Sequence, residues 1–373
     1  MKYRLPKFVL QILLFTLVVG LFYVAINGYE TFQFIKVWGG LLLSLVFYSY
    51  VIQYFKYNVE YIFKRFIQWG YYTCVIGMVQ VVGFYLKIAP FYDYGWLLNK
   101  WKVINGGILG IRINSIYSEP STVAVVIAPV VYVAIYNLIL KQKYLLSKIQ
   151  SLIVIAVYIG TSSSTAYIGI FFVIILVTDS IRLRYTVIGL SIAALAGWGL
   201  YSNIDEFRSR VDTSIGLWVY QDYSIQNTNT SSFVLYNSYN IAVSNLKDYP
   251  VFGTGLGSYE MAYEEYSLTK SVISYDFEFN RFDGNSMLLR LMVETGLIGV
   301  IFIGIVIFRG FIGKSVDHSH RDYRIVSQAI FVMMALYLLR QGNYFLNGLP
   351  LFYLLYYYNW KNYITNSKLI DEK

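Results

Sequence analysis

Apolar residues in this chain come in long unbroken runs rather than in the alternation of a strand or the stripe of an amphipathic helix. Phe8 to Asn27 carries no charged residue, and neither do 37–55 and 67–86. A run of about 20 such residues matches one helical crossing of a hydrocarbon layer. A fourth begins at Glu119 and continues to 140. Two shorter pieces, 152–160 and 166–178, follow, and then 185–200, 285–308, 325–339 and 349–360. This pattern predicts an all-α polytopic membrane protein with about ten membrane elements, two of them short. The whole of 1–373 then forms a single integral membrane domain.

The two short pieces resolve a conflict in charge. Lys148 precedes them and Arg182 and Arg184 follow, so both flanks belong on the positive-inside face. Neither piece is long enough to span alone. A bent hairpin with Thr161–Thr165 at its turn satisfies both facts, because irregular backbone at membrane depth is tolerated where protein or water satisfies it. Elsewhere Lys2, Arg4 and Lys7 hold the N-terminus inside. Lys56, Lys64 and Arg65, then Lys141, Lys143 and Lys148, mark further inner links. Both termini are expected to be cytoplasmic. The first run has no small-x-small cleavage site and reads as a retained span.

Composition agrees: hydrophobic residues make up 57% of the chain and charged ones 14%, against about 25% charged in soluble domains. The net charge of +9 collects in the inner links and reads as topogenic, not as a nucleic-acid surface. Two segments are left outside, 88–118 and a large loop at 201–284, far longer than a connection needs and expected to contain helices. The loop holds eleven carboxylates and only a few Arg and Lys. The lone Cys74 lies in a span and excludes a disulfide framework. His318 and His320 form an HxH that reads as a solvated turn rather than a metal site. No cofactor or metal is expected.

Four stretches carry candidate chemistry. In RINSIYSEPSTVAVV, Ser118, Glu119 and Pro120 make a good helix start, with Ser118 able to cap it. A helix start does not account for Arg112 in the glycine-rich approach GGILGIR. In NRFDGNSMLLRLMVETG, Arg281 and Asp283 stand just outside a span that begins at Asn285 and Ser286. Arg290 and Glu294 share a helix face four residues apart and can pair, although an intramembrane Arg is by default a functional hypothesis. Glu294-Thr295-Gly296 predicts a break in that helix. In NLKDYPVFGTGLGSYE the glycines resemble a nucleotide loop, but no strand precedes them and no Lys-Ser/Thr pair follows, so that reading fails. LLRQGNYF places Arg340 at the outer end of a span. Arg112, Arg208, Arg210, Arg281 and Arg340 thus share the outer membrane edge. Guanidinium forks there suit a diphosphate.

The EPSTVAVV entry after an upstream Arg, the polar STAYIG turn, PVFGTGLGSY and NSMLLRLMVETG, in that order over roughly 110–310, resemble the Wzy-type oligosaccharide repeat-unit polymerases. O-antigen ligases share the outline. The resemblance implies a GT-C-like fold in the cytoplasmic membrane. It also implies metal-independent, cofactor-free glycosyl transfer between undecaprenyl-diphosphate-linked oligosaccharides at the outer face, in capsule, exopolysaccharide or O-antigen assembly. A flippase and a chain-length regulator are the implied partners, with no nucleic acid. Arg112, Arg210 and Arg340 would hold the diphosphate. Asp283, Glu119 and Arg281 are the catalytic candidates, and Asn285 and Ser121 would position substrate. Ligases carry a His just before that Asn, where this chain has Gly284, which favours a polymerase over a ligase. A lipid-linked-glycan flippase is the other alternative; such transporters show internal repeats, and none is evident here.

Overall fold

The computed structural model of the chain describes residues 5–27, 31–179, 187, 191, 194–195, 197–199, 201–222, 229–270, 278–313 and 320–371. All regular elements among them are helices: α1 (Lys7–Asn27), α2 (Thr31–Tyr54), α3 (Val59–Tyr85), α4 (Ala89–Tyr92), α5 (Pro120–Val126), α6 (Ala128–Leu140), α7 (Lys148–Gly160), α8 (Ser164–Asp179), α9 (Asp205–Tyr220), α10 (Thr230–Asp248), α11 (Tyr259–Tyr266), α12 (Met287–Gly310), α13 (Arg321–Arg340) and α14 (Leu349–Asp371). Four helices (α1, α2, α12 and α13) are long and apolar enough to cross a membrane, five spans if the bent pair α5–α6 counts as one. These helices fit a membrane protein. Of the expected span at 185–200 only 187, 191, 194–195 and 197–199 are described, and His318 lies outside the described residues.

Contacts divide the chain into two compact units. The first comprises Met1–Tyr57, Gly199–Arg309 and Tyr337–Leu355. In it α1 packs along α2, with the Trp38 indole N–H donating to the Leu13 carbonyl at 3.2 Å. The described residues of the long connection between α8 and α12 include the helices α9, α10 and α11. α9 packs on α10 and α10 on α11. Trp218 of α9 meets Tyr236 of α10 edge to face at 5.0 Å, a favoured geometry for aromatic pairs. A buried cluster of Ile241, Ala242, Tyr259, Ala262 and Tyr263 then closes over Val293 of α12, so the connection is anchored on that helix.

α12 breaks where expected. Gly296 has φ 58° and ψ −156° inside an otherwise helical stretch, a conformation open to glycine and strained for other residues. A break there orphans the Val293 and Glu294 carbonyls and the N–H groups of Leu297 and Ile298. The loop after α10 takes up all four. Thr254 N and Gly255 N donate to Val293 O and Glu294 O, each at 2.9 Å. Leu297 N and Ile298 N donate to Pro250 O at 3.0 Å and Val251 O at 3.2 Å. Left unmade, each buried group costs about 1–3 kcal/mol, so the glycine loop and the broken helix form one element. The fit is tight: a Cβ on Gly253 or on Gly296 would run into the backbone of the other segment.

The second unit comprises Asn58–Trp198, Gly310–Leu336 and Tyr356–Lys373. Its core is α6, buried from Ala128 to Asn137 and packed against α3, α7 and α8. The apolar run that begins at Glu119 is bent by 60° between α5 and α6. Pro129 is the cause, since it cannot donate to the carbonyl a turn back. α7 and α8 are the two short pieces expected of the hairpin, separated by Thr161–Ser163. Those residues are buried. His320 also departs from the solvated turn expected of it: it is 7% exposed and its ring meets that of Tyr363 at 5.1 Å.

Candidate functional site

Three of the four chemistry-bearing stretches meet in the first unit, with the glycine loop and LLRQGNYF both seated on NRFDGNSMLLRLMVETG. Ser286 starts α12: its Oγ accepts from Leu289 N at 3.3 Å and donates to Leu338 O at 2.5 Å. One turn on, the Arg290 Nε donates to Glu294 Oε1 at 2.8 Å. The pair is dry, with the two residues 3% and 0% exposed. Tyr344 completes it. Its hydroxyl donates to the other carboxylate oxygen of Glu294 at 2.8 Å, and its ring lies under the Arg290 guanidinium at 4.5 Å. The Arg290 Nη1 reaches the Gly342 carbonyl at 3.0 Å.

Gly342 links this node to the acid outside it. A Cβ there would collide with the carbonyls of Asp283 and Gly284, so the 341–345 loop lies directly on the turn that carries Asp283. Asp283 is half-buried and accepts from Asn280 Nδ2 at 3.3 Å. Burial pushes its carboxyl above the ordinary range, while the Asn280 hydrogen bond and the Arg290 charge pull it part of the way back. An acid raised in this way is better matched to proton transfer near neutral pH than a free carboxylate. The neighbouring Gly284 has φ 61°, and a Cβ on it would press on the Tyr259 ring. The Asn285 backbone N–H donates to Ser238 Oγ at 3.4 Å.

Arg281 has other partners. Its Nε is 2.9 Å from Glu260 Oε1, its Nη1 is 2.5 Å from Glu278 Oε1, and its Nη2 pairs with Glu264. Carboxylates thus occupy the fork that was expected to meet a phosphate. The effect is to tie α11 to the approach to α12. The Glu278 hydrogen bond, followed by the other carboxylates, raises the guanidinium pKa above its ordinary value.

Arg340, at the end of α13, donates from Nη2 to Ser231 Oγ at 2.7 Å. The next residue, Ser232, is 2.9 Å from Ser214 Oγ of α9. Ser214 in turn donates to the Arg210 carbonyl at 2.7 Å. Arg340 is therefore tied to the start of α10, which in turn contacts α9 through Ser214, one turn after Arg210. Arg208 turns away, donating to Tyr201 O at 3.0 Å and Ser202 O at 2.6 Å.

Arg112, Glu119 and Ser121 belong to the second unit. The 104–115 loop is folded into it. Gln80 of α3 accepts from Asn114 N and Ser115 N and donates to Asn114 Oδ1 at 2.8 Å. Ile113 N donates to Gly160 O at 3.1 Å, and Arg112 Nε reaches Thr161 O at 3.4 Å. Arg112 therefore sits on the turn between α7 and α8. The cap of α5 is Glu119, in extended conformation and without a side-chain cap hydrogen bond, not Ser118. Its carboxylate is exposed and accepts from Ser121 Oγ at 2.9 Å.

Compared with known protein families and with curated proteins, the chain matches none. Among the described residues no group of three or more His, Cys, Asp or Glu could hold a metal ion.

Proposed function

We propose that this protein is an oligosaccharide repeat-unit polymerase of the Wzy type. In this reading it joins undecaprenyl-diphosphate-linked glycans at the outer face of the cytoplasmic membrane. The chain would cross in about ten elements, with both termini inside and a GT-C-like arrangement. The observation that carries the reading is the junction at Gly296. The segments most specific to the resemblance, PVFGTGLGSY and NSMLLRLMVETG, complete each other's backbone hydrogen bonding and present Asp283 at their edge.

In the proposed reaction Asp283 takes the proton of the attacking sugar hydroxyl. The hydroxyl oxygen bonds to the anomeric carbon, the bond from that carbon to the diphosphate oxygen breaks, and the lipid diphosphate leaves. Arg210 and Arg340 stabilise the charge that develops on it. Arg281 is assigned here to holding the loop, because three glutamates already surround it. Asn285 keeps the role that the resemblance gives it; Arg112, Glu119 and Ser121, which belong to the second unit, are candidates to be tested separately by substitution. An apolar cavity of about 410 Å3 in the first unit, lined among others by Phe15, Met287, Leu291, Phe302 and Tyr344, suits part of a polyprenyl tail. A ligase using a His before Asn285 is disfavoured, since Gly284 has neither the backbone conformation nor the room for one.

The test is reconstitution. Purified protein in lipid discs, given lipid-diphosphate repeat units and no nucleotide, is expected to produce a ladder of longer glycans. Unchanged substrate, with an established polymerase active in parallel, would overturn the reading.

A further inference from the structure

The second unit holds a basic pocket that the proposed reaction does not use. Its volume is about 680 Å3, and Lys64 and Gln68 of α3 line it together with Lys143 of the link before α7, the cap Ser147, and Ile149 and Gln150 of the first turn of α7. Lys64 and Lys143 are exposed, and among the described residues neither makes an ion pair. The only carboxylate on α3, Glu60, lies a turn before Lys64 and makes no ion pair there either. The α7 N-terminus adds its partial positive charge, with its first turn closed by the reciprocal Ser147–Gln150 bonds.

The surroundings of the pocket identify the ligand class. Just beyond Gln68 on α3, Trp69 is 70% exposed and Tyr72 is 54% exposed. On α7, Ile149 is 72% exposed and Leu152 is 51% exposed. Trp and Tyr favour the level of lipid headgroups. Two ammonium groups beside such a surface match an anionic headgroup with its chains running along the apolar faces. A soluble anion would have no use for those faces.

We infer that the pocket formed by Lys64, Gln68, Lys143 and the start of α7 binds the phosphodiester headgroup of an anionic phospholipid. The lysines pair with the phosphate, and the amide N–H donors of Gln68 and Gln150 serve its glycerol oxygens. This inference is independent of the polymerase reading.

Native mass spectrometry tests it, using full-length protein offered equimolar phosphatidylglycerol and phosphatidylcholine. The wild type should retain phosphatidylglycerol in preference. Near a membrane each basic residue contributes about 1 kcal/mol to such binding, so the preference should fall about fivefold per lysine and roughly thirtyfold in Lys64→Gln/Lys143→Gln. Lys87→Gln/Lys102→Gln, equal in charge lost, should keep it. The pocket variant should melt like the wild type in phosphatidylcholine alone; if it fails to fold, Lys143→Gln alone carries the fivefold test. An unchanged preference in the pocket variant, or an equal loss in both variants, overturns the inference. So does displacement of the lipid by millimolar inorganic phosphate, which would assign the pocket to a soluble phosphate.

Discussion

Arg281 and Arg290 lie nine residues apart and meet opposite surroundings. Arg290 is sealed in the protein with one carboxylate, one tyrosine and one carbonyl. Arg281 stands at the edge with three glutamates, of which Glu264 and Glu278 are largely open to solvent. The same cation therefore does different work. In a dry site every partner is needed, because an orphaned charge has no water to turn to. At an exposed site water and salt replace any partner that is lost. The buried arginine fixes the geometry of the Asp283 turn through Gly342, while the half-buried one, whose partners Glu264 and Glu278 face solvent, holds a loop.

Breaking the buried pair should have the largest effect. Arg290→Ala or Glu294→Ala is expected to cost about 3–5 kcal/mol, read as a fall in melting temperature in detergent. Arg290→Met with Glu294→Leu should recover part of that stability while leaving the Gly342 carbonyl and the Tyr344 hydroxyl without these partners. Glycan extension should then stay impaired in a folded protein; recovery of both would show that the clamp does not position Asp283. Next comes Gly296→Ala, which forces a side chain into a left-handed conformation costing about 1–3 kcal/mol and against the Val251 backbone. Val251→Ala, which leaves the backbone bonds in place, should be milder.

The effect of Asp283→Asn on stability is smaller and depends on pH. The folded-state pKa is raised, so wild-type stability is lost as pH climbs from the ordinary carboxyl value to the raised one, and the loss persists above it. The Asn variant should match the wild type in strong acid and be the more stable at neutral pH. Arg281→Gln should have the smallest effect, a slight lowering of the melting temperature that shrinks further in high salt. A large, salt-insensitive loss would erase the contrast between the two arginines.

Much of this unit was legible in the sequence because the signals are local. The spacing of Arg290 and Glu294 placed them on one helix face, and Gly296 after Glu-Thr marked the break. The third partner was not legible, since Tyr344 lies fifty residues further along and nothing in LLRQGNYF separates it from the many other tyrosines of the chain. Charge at a membrane edge directed attention to Arg281, but only folding brings Glu260, Glu264 and Glu278 around it. For the same reason Gln80 gave no sign that the 104–115 loop would fold onto it. The bend between α5 and α6 did have a signal, Pro129, inside a run that hydropathy alone reads as one span.

The central claim is that Asp283, set on the turn before the broken helix and against the Gly342 loop, is the base that deprotonates the attacking sugar. The rate of glycan extension against pH, in wild type and Asp283→Asn reconstituted in the same lipid, tests it most directly. The account predicts a wild-type rate that rises through an ionisation above the usual carboxylate range. It also predicts a loss of about a hundredfold or more in a folded Asn variant. An Asn variant that extends glycans at the wild-type rate would contradict it.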